Sequence, residues 1–466
     1  MSASRFLERH GMHPALIHPE EELDRFLEEM DRVRRGGEGS LKMIPTFLGK
    51  YRPPAKPEKL TVMDIGGTNV RAAVVETGPE GMASCVPLAP FLTPGLNEEM
   101  DADEFFRRIA KGVSEQDAWG EAAGRASARN ELRKDMAEES IRQDLRSDAG
   151  SGNRLGICFS FALNPIEGRD AEVAYGAKQI NVPDLVGRRI GESFRKALLE
   201  LGKPAGQDIT VINDASAAAL GGRLAQTGKR YGGYLGFIYG TGTNLSYCAK
   251  NGEIINVESG AYCSFPTGDI DDAYDRLLID FGQDRFEKMV SGGYMQGLYD
   301  CVLRYAAEEG EVSRRVYETL CGSGAPGLAL SNSGAAGFAL RDGLHPKEIS
   351  TFLKEPSGNG IVARACASSE DREFLVELFD LLTLRSALLC SITITAAMLY
   401  SEAGTNAETP AFITAEGSAY NKQTGFREKL SAAMQSLAGS SHGLHYEFHT
   451  VPEVTFRGTA VACLSG

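Results

Sequence analysis

Three glycine-bearing turns, each directly behind an apolar β-type run, constrain this chain more than any other feature. They are Asp64-Ile65-Gly66-Gly67-Thr68-Asn69 behind residues 60–63, Gly240-Thr241-Gly242-Thr243-Asn244 behind 234–239, and Ala415-Glu416-Gly417-Ser418 behind 410–414. Glycine lets the backbone approach a ligand closely and point its N–H groups inward, which suits phosphate oxygens. Threonine and asparagine add side-chain donors, and Asp64 has the chemistry to hold a metal-bound water. One such turn is satisfied by an ordinary hairpin, and the first, flanked by apolar runs 60–63 and 70–75, has that form. Three of the same kind at strand ends point to a shared anion-binding role. The chain has no G-x-x-x-x-G-K-[ST], so it is not a P-loop protein, and no G-x-G-x-x-G opens a helix after a strand, which disfavours a dinucleotide fold.

Composition narrows the partners. The 466 residues carry 49 Lys and Arg against 63 Asp and Glu, a net charge of −14, which is the wrong sign for coating a nucleic-acid backbone. Hydrophobic residues at 42% and charged residues at 24% are globular values, and the length buries a large core without covalent staples. Nine scattered cysteines without a C-x-x-C pair argue against structural zinc or a disulfide framework and for reduced thiols in a cytoplasmic protein. The charged N-terminus has no signal-peptide pattern. Of the long uncharged stretches, 231–249 and 319–340 are broken by glycines, and 386–401 reads as a buried core helix, so no membrane span is expected. His442, His445 and His449 lie close together, but nothing completes a metal site around them, and they read as structural.

Along the chain, Leu23, Phe26, Leu27, Met30 and Val33 have helical spacing and predict a helix over 19–34. Prolines 53, 54 and 57 mark an extended connector. Residues 115–148 hold 15 charged residues in 34 and read as an exposed helical insertion containing the only tryptophan, Trp119. A strand from 155, a helix over 185–201, a strand at 209–212 ending in Asn213-Asp214 and a strand at 234–239 follow. The chain then reads as mostly helical to Ser401, with a glycine-rich loop at 322–337 and a last strand at 410–414. Alternating strands and helices predict an α/β architecture.

In this order and spacing the motifs resemble the hexokinase family, of the actin-like kinase fold, nearly end to end. Residues 41–47 (LKMIPTF) look like its N-terminal segment, 64–71 (DIGGTNVR) and 240–244 (GTGTN) its phosphate turns, 155–161 (LGICFSF) its sugar loop, and 211–219 (VINDASAAA) its catalytic Asn-Asp. Residues 256–262 (NVESGAY), 286–294 (FEKMVSGGY) and 415–420 (AEGSAY) complete the series, and only the 115–148 insertion has no counterpart. The glucokinases of the ROK group share an Asp-x-Gly-Gly-Thr turn, but their cysteine-rich zinc motif is absent here.

The resemblance implies two actin-like (ribonuclease H-like) α/β lobes around a sugar/ATP cleft: a smaller lobe of 58–212 plus a C-terminal helix from about 446, and a larger lobe of 213–445 plus the N-terminal 1–57. It implies ATP-dependent phosphorylation of a hexose, glucose by default, at the 6-hydroxyl. The alternatives are another sugar, such as mannose, fructose or an amino sugar, or a non-catalytic sugar sensor. Asp214 is implied as the base that accepts the hydroxyl proton, a role the chemistry requires of a carboxylate, although local sequence alone also allows it to cap the next helix. Lys178 is implied to hold the sugar and stabilise charge. Ser160, Asn213, Asn244, Glu258 and Glu287 are implied as further sugar ligands. Gly67, Thr68, Asn69, Arg71 and Thr241 are implied at the phosphates, Gly417 and Ser418 at the nucleoside, and Asp64 near Mg²⁺ through water. The chain departs from the family at Ala177, where a threonine usually precedes the sugar-binding lysine, at Ala162 in place of a proline, at Glu416 in place of an aspartate, and in the C-terminal turn at 454–460.

Overall fold

The structure, a computed structural model, describes residues 2–46, 56–78, 81–96, 98–116, 154–166, 169–174, 180–203, 208–223, 228–278, 280–322 and 344–465. Lys178, Ala177, most of the charged insertion including Trp119, and most of the glycine-rich loop lie outside them.

Among the described residues nine strands precede residue 213: β1 (Ile44–Thr46), β2 (Glu58–Ile65), β3 (Asn69–Gly78), β4 (Gly81–Pro87), β5 (Phe91–Leu92), β6 (Arg154–Phe159), β7 (Leu163–Ile166), β8 (Asp170–Val173) and β9 (Asp208–Ile212). Five follow: β10 (Gly233–Tyr239), β11 (Thr243–Cys248), β12 (Ile254–Asn256), β13 (Ala411–Glu416) and β14 (Tyr446–His449). One sheet has the order β4-β3-β2-β6-β9, the other β12-β11-β10-β13-β14 with β1 added at its edge, and β7 and β8 form a separate hairpin. In each sheet three consecutive strands, β2–β4 and β10–β12, are antiparallel, and two later ones, β6 and β9 or β13 and β14, join in parallel. One topology thus occurs twice, which is the expected actin-like α/β fold.

The repeat explains where the turns fall. Gly66-Gly67 closes the β2–β3 hairpin of the first sheet, and the glycines at 240 and 242 close the equivalent β10–β11 hairpin of the second. Val62, Met63 and Ile65 on β2 are fully buried, as a central strand covered on both faces requires. Phe105, Phe106 and Phe194, from helices Ala102–Ser114 and Ile190–Glu200, fill one face of the first sheet. On the second sheet the core gathers around helix Ser369–Ser401 and takes in the N-terminal Phe6, Leu23, Phe26 and Met30. Helix Ser369–Ser401 is long and apolar enough to cross a membrane by composition, but 83% of its most apolar stretch is buried inside the protein.

Two helices tie the sheets together by crossing over. Helix Asp214–Arg223 leaves β9 of the first sheet and packs on β10, β11 and β13 of the second, while helix Val454–Leu464 leaves β14 and packs on β2, β6 and β9. The two helices also meet each other, so closely that a Cβ on Gly458 would lie 1.8 Å from the Ala217 carbonyl oxygen. Glycine at 458 permits that approach, and the crossing fixes Asp214, the first residue of its helix, at the junction of the sheets.

Several expectations are met and several corrected. Helix Pro19–Arg34, strands 60–63, 70–75, 209–212, 234–239 and 410–414, and the core position of 386–401 agree with the sequence reading within a few residues. The helix expected over 185–201 is Ile190–Glu200, because Gly187, with φ +79°, turns the chain and its N–H donates to Val173 O at 2.9 Å. The helix expected from about 446 begins only at Val454, and residues 446–449 are a strand hydrogen-bonded to β13, so that stretch belongs to the second sheet. Strands β11 and β12 occupy part of the region read as mostly helical.

Candidate active site

A cleft of about 550 Å³ lies where the turns of both sheets face each other. Every residue assigned above to the sugar, the phosphates, the nucleoside or Mg²⁺ lines it (Asp64, Gly67, Thr68, Asn69, Arg71, Ser160, Asn213, Asp214, Thr241, Asn244, Glu258, Glu287, Gly417 and Ser418) except Lys178, which falls outside the described residues. Asp284, Glu416 and Thr455 line it as well and were not among them.

The turns are built to hold their shape. In the first, Gly66 N donates to Asn69 O at 3.0 Å, and Thr93 clamps it from β5's side, its N–H on Thr68 O at 3.0 Å and its hydroxyl on Gly66 O at 2.7 Å. In the second, Gly240 N donates to Gly242 O, while the N–H groups of Gly292 and Gly293, at the start of helix Gly292–Glu308, donate to Gly240 O and Thr241 O at 2.8 and 2.9 Å. Gly242 leaves room for Glu287, whose carboxylate oxygen would lie 2.4 Å from a Cβ there. The third turn rests on the second: Gly417 has φ +125°, and a Cβ on it would lie 2.2 Å from Tyr239 O. Only glycine satisfies both conditions.

The carboxylates of the cleft are crowded. Asp64, 5% exposed, is paired with Arg71, whose Nε lies 3.1 Å away, and Ser160 Oγ donates to its other oxygen at 3.4 Å. Arg71 also reaches Thr455 Oγ1 at 3.4 Å, which anchors it to the crossing helix Val454–Leu464. Burial, reinforced by the nearby Asp64 charge, pushes Asp214 up to about 6 despite the Ala215 N–H donating to it at 2.8 Å. Burial likewise pushes Glu416 up to about 7, with Arg71 opposing and Asp64 and Asp214 adding to the shift. Glu258 is pushed up to about 7 by burial first, then by the charges of Asp214, Glu287 and Asp284, against the hydrogen bond from Asn256. Such shifts gather where groups are arranged for proton transfer and ligand binding rather than for stability.

On the other side of Asp214 a chain of amides runs through the wall. Asn213 Oδ1 accepts from Ala215 N at 2.9 Å and from Asn244 Nδ2 at 3.3 Å. Asn244 Nδ2 also donates to Asn256 Oδ1 at 3.0 Å, and Asn256 Nδ2 donates to Glu258 Oε1 at 2.7 Å. Asn256 does not line the cleft, and in the 256–262 motif that it opens the sequence pointed to Glu258 and not to it. Asp284 lies in none of the motifs quoted from the sequence. Glu416 was visible as a departure from the family, and Thr455 only as part of the departing turn at 454–460. Of the three histidines near the C-terminus, His449 stacks on Phe412 at 3.9 Å and His442 bonds Glu20 at 2.9 Å.

Among the described residues no group of three or more His, Cys, Asp or Glu side chains is arranged to hold a metal by itself. The hard oxygens of Asp64 and Glu416 fit Mg²⁺ instead, which takes few protein ligands and completes its shell with water and phosphate oxygens; Glu416 Oε2 is a buried acceptor with no hydrogen-bond partner within the described structure.

A buried carboxylate raised toward neutrality, between glycine turns and an amide-lined wall, is an arrangement that suits a phosphotransferase acting on an alcohol. Models of the hexokinase family match residues 18–224 and 234–465, and the chain belongs to that family: it is a sugar kinase that phosphorylates a hexose with ATP. Among curated relatives, hexokinase-1 of rice (Oryza sativa subsp. japonica) is 23% identical over 436 residues, 87% of this chain and 79% of that protein. Hexokinase-1 of Schizosaccharomyces pombe is 22% identical over 471 residues, 95% of this chain and 86% of that protein. In structure the chain is similar to the hexokinase of Schistosoma mansoni complexed with glucose, with a TM-score of 0.72 at 18% identity and full coverage of both chains.

Proposed function

We propose that the chain transfers the terminal phosphoryl group of ATP to the 6-hydroxyl of glucose, with Asp214 as the base. The observation that carries this reading is the raised Asp214 carboxyl at the meeting point of the phosphate-type turns and the amide wall. The hydroxyl donates its proton to Asp214 as its oxygen bonds to phosphorus and the bond to the leaving oxygen of ADP breaks; Asp214 then releases the proton to solvent. A base near 6 is ionised at pH 7 and still basic enough to share a proton in the transition state. Asn213, Asn244, Glu258, Glu287 and Ser160 orient the sugar hydroxyls, and Lys178 is assigned to the sugar by its family position. Backbone N–H groups of the 64–69 and 240–244 turns, with Arg71, Thr68, Asn69 and Thr241, hold the phosphates, while Gly417 and Ser418 face the nucleoside. Mg²⁺ would neutralise phosphate charge when bound, and Asp64, through water, and Glu416 are the residues that would hold it.

The two sheets with their helices are read as two lobes: 58–212 with the helix Val454–Leu464, and 213–453 with the N-terminal segment, whose β1 pairs with β12. The glucose named with the Schistosoma mansoni structure supports glucose here. Nine unpaired thiols support a reducing compartment such as the cytoplasm. The test is Asp214→Ala. Turnover should fall roughly 10²-fold or more, since general-base catalysis contributes about 10²–10⁴, while glucose affinity falls less. A folded variant with near wild-type turnover would overturn the assignment.

A further inference from the structure

Asn256 is 2% exposed, at the end of β12, with its backbone held between β11 and β1 in register with Ser246 and Ile44. It touches no part of the cleft, yet both ends of its amide are spent on residues that do. Nδ2 donates to Glu258 Oε1 at 2.7 Å, and Oδ1 accepts from Asn244 Nδ2 at 3.0 Å, with Glu258 N 3.4 Å away. Asn244 is itself oriented by Leu245 N, which donates to its Oδ1 at 2.6 Å. Glu258 sits at φ +51°, a backbone conformation that disfavours residues with a Cβ and is kept only where the surroundings hold it. Asn256 Nδ2 holds the carboxylate that this backbone carries into the cleft.

We propose that Asn256 is a positioning residue for the sugar: its single amide locks Glu258 and Asn244 in mutual register, so that one presents an acceptor and the other an oriented amide to neighbouring hydroxyls of the hexose. The proposal rests on the reading of Glu258 and Asn244 as sugar ligands. Its logic is polarity. At 256 a donor must face the carboxylate and an acceptor must face the amide, and asparagine is the residue that supplies both from one rigid group. An aspartate of the same shape keeps the acceptor and loses the donor, and it sets two carboxylates against each other.

The experiment is a polarity swap, read by calorimetric glucose binding and by KM and kcat. Asn256→Asp should weaken glucose tenfold or more, the scale of losing a hydrogen bond to a charged group, while KM for ATP stays within about twofold. Glu258→Gln should also weaken glucose, because its oxygen turns to meet Asn256 Nδ2 and its amide N–H₂ then faces the sugar. The double variant N256D/E258Q reverses the pair: the new carboxylate at 256 accepts from the new amide at 258, and the amide oxygen at 258 is returned to the sugar side. It should bind glucose more tightly than either single variant, a rescue that a merely structural role would not produce. The double variant keeps every buried bond, so it also covers the case in which Asn256→Asp alone fails to fold. If Glu258→Gln leaves glucose binding unchanged, the sugar-ligand reading fails. If Glu258→Gln weakens binding but the double variant is no better than the tighter-binding single one, or Asn256→Asp binds normally, the positioning role is overturned.

Discussion

Asp214 carries a stability cost that its removal should expose. Its carboxyl is raised from the ordinary 3.8 to about 6, mainly by burial and by the Asp64 charge. The folded protein therefore holds that proton more tightly than the unfolded chain does. The stabilising contribution is complete below pH 3.8, declines as pH rises and is lost above about 6. A shift of about two pK units at about 1.4 kcal/mol each sets an upper limit of about 3 kcal/mol. Asp214 is partly open to the cleft, so water screens some of this, and about 1–2 kcal/mol is the expected size. Asp214→Asn removes the charge while its oxygen still accepts from Ala215 N. The assay is thermal unfolding of both proteins, without ligand, at pH 4 and pH 8. The variant should be nearly inactive, equal to the wild type at pH 4, and more stable at pH 8 by a few degrees, since about 1 kcal/mol shifts Tm by about 2–4 °C in a lobe of ~200 residues. A stability gain of the same size at both pH values, or a less stable variant at pH 8, would refute the electrostatic argument.

Glucose binding should weaken as pH falls from 8 to 6, because Glu258, raised to about 7, gains a proton and loses an acceptor; calorimetry at the two pH values measures it, and flat affinity would count against its role as a sugar ligand. Gly417→Ala should cost at least about 1–3 kcal/mol and raise KM for ATP far more than KM for glucose, since its Cβ would drive the third turn off Tyr239 and Gly240; unfolding and kinetics of the purified variant check both. Ala177→Thr should lower KM for glucose several-fold with kcat within a factor of a few, because one neutral hydrogen bond nets about 0.5–1.5 kcal/mol, and an unchanged or raised KM for glucose, mannose and fructose would refute the idea.

What was legible in the sequence was what chemistry writes in short, local patterns. The glycine turns, the Asn213-Asp214 pair and the amphipathic helix Pro19–Arg34 each announce themselves within a dozen residues. β14 did not, because Tyr446, Glu447, Phe448 and His449 are all half-buried and show no alternation of inside and outside. β12 is three residues long and wholly buried, too short for any periodicity. The duplication of the two sheets is a property of pairing, which the residues of neither sheet reveal alone. Asn256 opens the 256–262 motif, but its part in the site was not legible because it lies in two hydrogen bonds, to Glu258 and Asn244, that only the fold brings together. Lys178 and Ala177 rest on family position alone.

The central claim is that this chain moves a phosphoryl group from ATP to a hexose hydroxyl at a site built around Asp214. Steady-state turnover with ATP, Mg²⁺ and a panel of glucose, mannose, fructose and glucosamine, with the position of the product phosphate read by ³¹P NMR, tests it most directly. The products should be stoichiometric ADP and a 6-phosphorylated hexose, with glucose used most efficiently. Tight glucose binding with no phosphorylated product from any of the four sugars would contradict it.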